Sequence, residues 1–376
     1  MQHTLALLGG LGLALSGAST ASKSSGNCRD VSFSLPVTSQ NVRFASPPDP
    51  NDTAAIVEFM RDTWRGKAPA TNGTITVADT FTITGTYCTP KNPKKAKGLQ
   101  VLVHGITYNK EMWSGYGFGD PYDWHAAATA RGYATLALDR LGHGANPQRP
   151  DPLAIVQPQL QLDLLAAIFK AARTKSKSNI LHQAFKKVIF VGHSYGSFLG
   201  AALGAQYPTV ADALVLTGYS SYLDFTDVIN ADWVSAAEHD PARFGAGLAK
   251  GYVTMSNPAQ RAGAFFVGAF DAAIAPVDFA REDTLTVGEI GAIGAILGPA
   301  VGYKGPVLAV TGVGDVFFCE TPQEKCEEHL RATAEAFPDA KSFDFFVPEN
   351  TGHDLTLHYS AGKTAKRVHD WLDRKL

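Results

Sequence analysis

Six short runs of densely apolar residues punctuate the chain, at 99–103, 134–138, 188–191, 213–216, 307–310 and 343–347. Runs of this length without polar alternation predict strands buried on both faces, as in a parallel sheet. Between several of them the apolar positions fall instead at helical spacing. Leu160, Leu164, Ile168 and Ala171 make one stripe, and Val368, Trp371, Leu372 and Leu376 make another in the last helix. Strand and helix in alternation predict an α/β fold with a mostly parallel central sheet flanked by helices. Upstream, 51–64 reads as a helix with Ile56, Phe59 and Met60 on one face. Residues 74–87 alternate through Ile75, Val77, Phe81 and Ile83, which predicts antiparallel strands joined by a turn, and what precedes 51 reads as a polar lead-in. The basic run 91–97 reads as a solvated turn.

One connection breaks the rhythm. Between the strand ending near Gly218 and the strand starting at Pro306 lie about 85 residues rich in Ala, Gly and Phe, far more than an ordinary connection. They are read as an inserted, mainly helical cap over 219–304, with the core made by 22–218 and 305–376. The competing reading is an elaborated loop that covers nothing.

The chain has 376 residues, 45% hydrophobic and 18% charged, with a formal net charge of −2. That is the composition of a globular protein with a sizeable core, and it argues against nucleic acid or an anionic membrane as partner. Residues 5–15 are apolar but too short to span a bilayer. Ser19-Thr20-Ala21 follows as a signal-peptidase site, so 1–21 reads as a cleaved signal peptide, although its first residues carry only His3 where Lys or Arg is usual. No later stretch is long and apolar enough to be a membrane span. The expected localisation is secreted. Four cysteines agree with an oxidising compartment. Their number suggests two bridges; the sequence leaves the pairing open, with Cys28–Cys88 and Cys319–Cys326 the natural guess. Asn51-Asp52-Thr53 and Asn72-Gly73-Thr74 are candidate glycosylation sequons on Asn51 and Asn72. No cysteine or histidine spacing resembles a metal site.

The strongest chemical signal is Val188-Ile-Phe-Val-Gly192-His193-Ser194-Tyr195-Gly196. A buried strand enters Gly-x-Ser-x-Gly and leaves as a helix, the context of a nucleophile elbow rather than of a merely tight turn. A serine alcohol needs a base. His353 follows the last predicted strand, where a loop can bring its imidazole over Ser194. His358, placed near the start of the final helix, is assigned a supporting role, and His193 is read as a packing neighbour. Asp315 follows another predicted strand and is the candidate acid, with Asp224 or Asp227 as rivals. The order Ser194, Asp315, His353 is that expected when the three follow successive strands of one sheet. The oxyanion hole is assigned to the backbone N–H groups of Tyr195 and of Ile106, in the His104-Gly105-Ile106-Thr107 loop. His104 reads as structural. Asp139-Arg-Leu-Gly-His-Gly144 reads as a structural turn, in preference to a metal or proton-transfer role for His143.

Taken together, His104-Gly105, 139–144, 192–196, Asp315 and Gly352-His353 resemble the α/β-hydrolase superfamily in its cap-containing branch, over about residues 99–372. With the leader, cysteines and sequons, the chain is similar to secreted, fungal members. Two departures are visible: no Gly-Gly-Gly run follows His104, and Ser stands where epoxide hydrolases and haloalkane dehalogenases carry Asp. The resemblance implies a serine hydrolase acting on a carboxylic ester, a lactone or another acyl compound. Its substrate would be a small, apolar acyl molecule, and no metal or organic cofactor is required. An aminopeptidase of the same fold would need Glu238 or Asp240 to hold a substrate amine. A non-catalytic ligand-binding protein of this fold is the reading from a different class. The sequence leaves the oligomeric state open.

Overall fold

The computed structural model describes residues 27–175 and 181–376; the leader read at 1–21 lies outside them. Eleven strands are named here in chain order: β1 (Asn27–Phe44), β2 (Thr71–Thr89), β3 (Leu99–Val103), β4 (Ala134–Leu138), β5 (Val188–His193), β6 (Ala213–Thr217), β7 (Trp233–Ser235), β8 (Tyr252–Met255), β9 (Leu285–Thr286), β10 (Pro306–Val310) and β11 (Ser342–Phe346). Among the described residues, eight of them form one sheet in the order β1-β2-β4-β3-β5-β6-β10-β11. From β4 to β11 neighbours run parallel, whereas β2 is antiparallel to both β4 and β1.

The apolar runs are strands because their two faces feed two different cores. Leu102, Ile189, Val191, Val215 and Val310 point into one, with Trp124, Val368, Trp371 and Leu372 from helices Trp124–Ala130 and Ala361–Lys375. Their neighbours Val101, Phe190, Leu214 and Val307 point into the other, with Leu160, Leu164, Leu199 and Leu203 from helices Pro158–Arg173 and Tyr195–Gln206. Both faces are covered, as a parallel sheet requires.

Two elements differ from expectation. Residues 74–87 do not turn back on themselves: they belong to the single 19-residue strand β2. Its partner is β1, the stretch that read as a polar lead-in. In β1 five positions are buried, Val31, Phe33, Ser39, Asn41 and Phe44, and most of the others are exposed, so its apolar pattern is thin. The register sets Cys28 directly opposite Cys88, and these two form a disulfide, as do Cys319 and Cys326.

The segment between β6 and β10 is built from short helices, among them Pro258–Phe265 and Ile274–Arg281, but it also holds a sheet that its composition did not announce. There β8 pairs antiparallel with β7 and with β9. Strands of two to four residues are too short to print a periodic pattern. The segment's tail returns to the core, where Ile296, Ala300 and Tyr303 are buried with Leu203 and Leu214.

Candidate active site

Strand order reverses at β3: the chain goes out to β4 and comes back to β5 on the other side. In open α/β sheets the crevice beyond the carboxyl ends at such a switch point receives ligands. The residues following β3 and β5 are the His104 loop and the turn at Ser194, and Val103 sits beside Gly192 in the register.

Ser194 adopts φ 54°, ψ −120°, a conformation that costs a non-glycine residue about 1–3 kcal/mol and persists only when its surroundings enforce it. They do so through close backbone packing. A Cβ on Gly192 would lie 2.7 Å from the Gly196 backbone, and one on Gly196 would lie 2.2 Å from the Val103 carbonyl oxygen. The Ser194 amide donates to Thr217 O at 2.9 Å. The serine is 8% exposed and stands at the N-terminus of helix Tyr195–Gln206, where no side chain caps the first amides. The amides of Ile106 and Tyr195 have no acceptor among the described residues. Gly105 brings the β3 loop against the serine: a Cβ there would lie 3.0 Å from Ser194 Cβ.

Asp315 and His353 meet beyond β10 and β11. His353 Nδ1 donates to Asp315 Oδ2 at 2.8 Å, both residues being almost fully buried. The other oxygen, Asp315 Oδ1, accepts from the amides of Phe317 (3.0 Å) and Phe318 (3.2 Å). The imidazole is enclosed by Phe265, Phe317 and Phe318, with ring centroids at 5.6, 4.8 and 5.5 Å, and by His193 at 4.7 Å. Gly218, at φ +55°, leaves it room, since a Cβ there would fall 2.9 Å from His353 Cε1. Ser194 Oγ makes no hydrogen bond to His353 among the described residues; without substrate such contacts are often long. The rival acids do not hold His353: the Asp224 carboxylate accepts from the Thr226 amide at 2.9 Å, and Asp227 is exposed.

His358, His193 and His143 behave as structural groups. The Gly352 amide donates to His358 Nε2 at 3.0 Å while His358 Nδ1 donates to Asp354 O at 2.7 Å, which pins the loop carrying His353. His358 precedes, rather than opens, the last helix. Burial, followed by the neighbouring His353, keeps His193 neutral, its pKa well below the ordinary value. Asp139 accepts from Thr84 Oγ1 (2.7 Å), Lys110 Nζ (2.7 Å) and the Ala145 amide (3.1 Å), the bonds of a structural turn. His143 has Thr284 Oγ1 at 3.1 Å and Glu289 Oε1 at 3.0 Å, so its two nitrogens are occupied.

Residues that the sequence left unmarked bind these pieces together. Arg140 stood inside a recognised turn, but nothing pointed to its partner Glu289, 149 positions on. Arg261, 1% exposed, pairs with Asp278 Oδ2 at 2.6 Å and Glu282 Oε2 at 3.2 Å, and donates to Thr107 Oγ1 at 2.8 Å. Glu238 and Asp240, which an aminopeptidase would aim at its substrate, are otherwise engaged. Glu238 holds Lys250 and Thr53, and Asp240 caps the turn at Arg243.

Among solved structures, the chain resembles a monoacylglycerol lipase of Paleococcus ferrophilus, 16% identical over 77% of this chain and 96% of that one, with a TM-score of 0.50. It also resembles a thermophilic esterase from Thermogutta terrifontis, 15% identical over 78% and 94%, TM-score 0.51. A soluble variant of monoglyceride lipase from Saccharomyces cerevisiae matches at 13% identity over 78% and 92%, TM-score 0.53. At such identities the likeness is one of fold. No curated protein matches the sequence. The model of the alpha/beta hydrolase family matches residues 100–367, the stretch that holds the His104 loop, the Ser194 turn and the Asp315–His353 pair, and the chain belongs to that family.

Proposed function

We propose that this protein is an exported serine hydrolase of carboxylic esters. The observation that carries the reading is the Asp315–His353 hydrogen bond beside a serine held at φ 54° on a strand-to-helix turn. With Nδ1 committed to Asp315, the imidazole presents Nε2 as a base. In the proposed reaction His353 takes the Ser194 proton as Oγ attacks the ester carbonyl. The oxyanion that forms is met by the Ile106 and Tyr195 amides. His353 then returns the proton to the leaving alcohol; water, deprotonated by the same imidazole, attacks the acyl-enzyme, and the proton passes to Ser194 Oγ as the acid leaves. The base, the nucleophile and the oxyanion donors are side chains and amides of this chain. The phenylalanines around His353 support an apolar acyl substrate, in keeping with the lipases and esterases that share the fold. The segment 219–304 serves as the cap over this site.

Labelling with a fluorophosphonate probe tests the nucleophile. The native chain should label and Ser194→Ala should not; equal labelling of both, or of neither, would sink the reading. Export has its own support, two disulfides and two exposed sequon asparagines, Asn51 and Asn72. Mass analysis of protein collected from the medium of a eukaryotic host should find a chain beginning after Ala21, with glycan on Asn51 and Asn72. An intact N-terminus would remove the export proposal.

A further inference from the structure

An oxyanion hole works only if its N–H groups are aimed beforehand. The aim of the Ile106 amide is set by the peptide it belongs to, because a planar trans peptide points its N–H opposite its C=O. That carbonyl is Gly105 O. It accepts from His104 Nδ1 at 2.8 Å and from Arg140 Nη2 at 3.0 Å. Arg140 Nε also holds His104 O at 3.1 Å, and the Arg140 amide donates to His104 Nε2 at 3.0 Å. One guanidinium thus fixes two successive carbonyls of the loop.

Arg140 is in turn held from the inserted segment. Its Nη1 pairs with Glu289 Oε1, a carboxylate with no exposed surface that also takes Gln161 Nε2 at 2.7 Å and contacts His143 Nε2 at 3.0 Å. The other Glu289 oxygen accepts the Thr286 amide at 2.8 Å, closing a capping box. Burial opposes the Glu289 charge, but Arg140 and His143 overcome this and keep the pKa well below the usual carboxylate range. His143 meets the same opposition from burial, and Glu289 raises its pKa above the ordinary value.

The next residue of the loop is gripped from the same side. The Thr107 amide donates to Thr284 O (3.2 Å), Thr107 O accepts from the Asp283 amide (2.8 Å), and Thr107 Oγ1 accepts from Arg261 (2.8 Å). All three partners belong to the insertion.

We infer that the inserted segment is a working part of the oxyanion hole, with Glu289, acting through Arg140, and Arg261, acting through Thr107, as positioning residues for the Ile106 amide. This rests on the serine-hydrolase reading above. The test is steady-state hydrolysis of p-nitrophenyl acetate by the native chain, Glu289→Gln and Thr107→Val. Thr107→Val keeps the residue's shape and loses only the Arg261 bond, so it serves if Glu289→Gln fails to fold. Rates are taken per folded molecule, judged by circular dichroism and gel filtration. Both variants should lose kcat, Glu289→Gln by at least about tenfold, while KM stays within about threefold, because the lost contact acts only in the transition state. Native-like kcat in folded Glu289→Gln and Thr107→Val, or a loss confined to KM, overturns the inference alone. A native chain silent toward both ester and fluorophosphonate overturns the serine-hydrolase reading, and this inference with it.

Discussion

Both oxygens of Asp315 are engaged, one by His353 Nδ1 and one by the Phe317 and Phe318 amides. An amide at this position would set a donor against the Nδ1–H or lose an acceptor for the backbone, and the imidazole would turn to the wrong tautomer. Asp315→Asn is therefore expected to lower kcat/KM for p-nitrophenyl acetate by about 10³-fold or more, while Asp224→Asn leaves it within about twofold. The reverse ordering in steady-state kinetics would give the acid's role to Asp224. Asp315 and His353 were legible in the sequence because each follows a strand end, a position fixed by the chain alone. Tyr108 and Asp354 were not. Arg261 lies over the Tyr108 ring, and burial, then Asp278, pushes the Asp354 carboxyl up to about 7, which no local pattern announces.

At the scale of elements, the parallel strands were readable to within about two residues, since burial makes them dense in apolar residues, with few interruptions such as Gln100 and Thr135. The same rule hid β1, which is half in water. It also hid the β7-β8-β9 sheet, whose strands hold too few residues to show a period. The helix Thr53–Trp64 was visible through its apolar face, and Asp52 caps it by accepting from the Ala54 and Ala55 amides. Within the insertion neither the order of elements nor their contacts followed from composition. Its links to the core run through isolated residues such as Glu289 and Arg261, which carry no periodic signal.

Across the whole molecule, buried carboxyls are held on both sides of their ordinary range. Asp354 and Glu282 are raised to about 7, in both cases chiefly by burial. Between the ordinary carboxyl value and about 7 the folded state holds more protons at these sites than the unfolded chain. Their contribution to stability is thus fully present at low pH and lost as pH rises through about 7. Asp354→Asn removes one such charge. By calorimetry the difference in Tm, variant minus native, should grow from pH 5 to pH 8.5 in the variant's favour, by about 2 °C or more. A difference independent of pH would show that Asp354 keeps an ordinary pKa.

The seam between insertion and core has a consequence for how such a chain could be shortened or exchanged. Excising 219–304 would strip Glu289 from Arg140, the carboxylate that balances a guanidinium only 4% exposed in the intact chain. Wherever a replacement segment kept Arg140 buried without an anion, the unpaired charge would cost about 3–5 kcal/mol, a large part of the stability of an ordinary domain. The same excision would uncover Gly352, where a Cβ would now lie 2.6 Å from the Val267 amide nitrogen. Residues 140 and 289 are therefore tied to each other across the chain. A relative that exchanged this insertion for another would also have to exchange the residue at 140, or find a new anion for it.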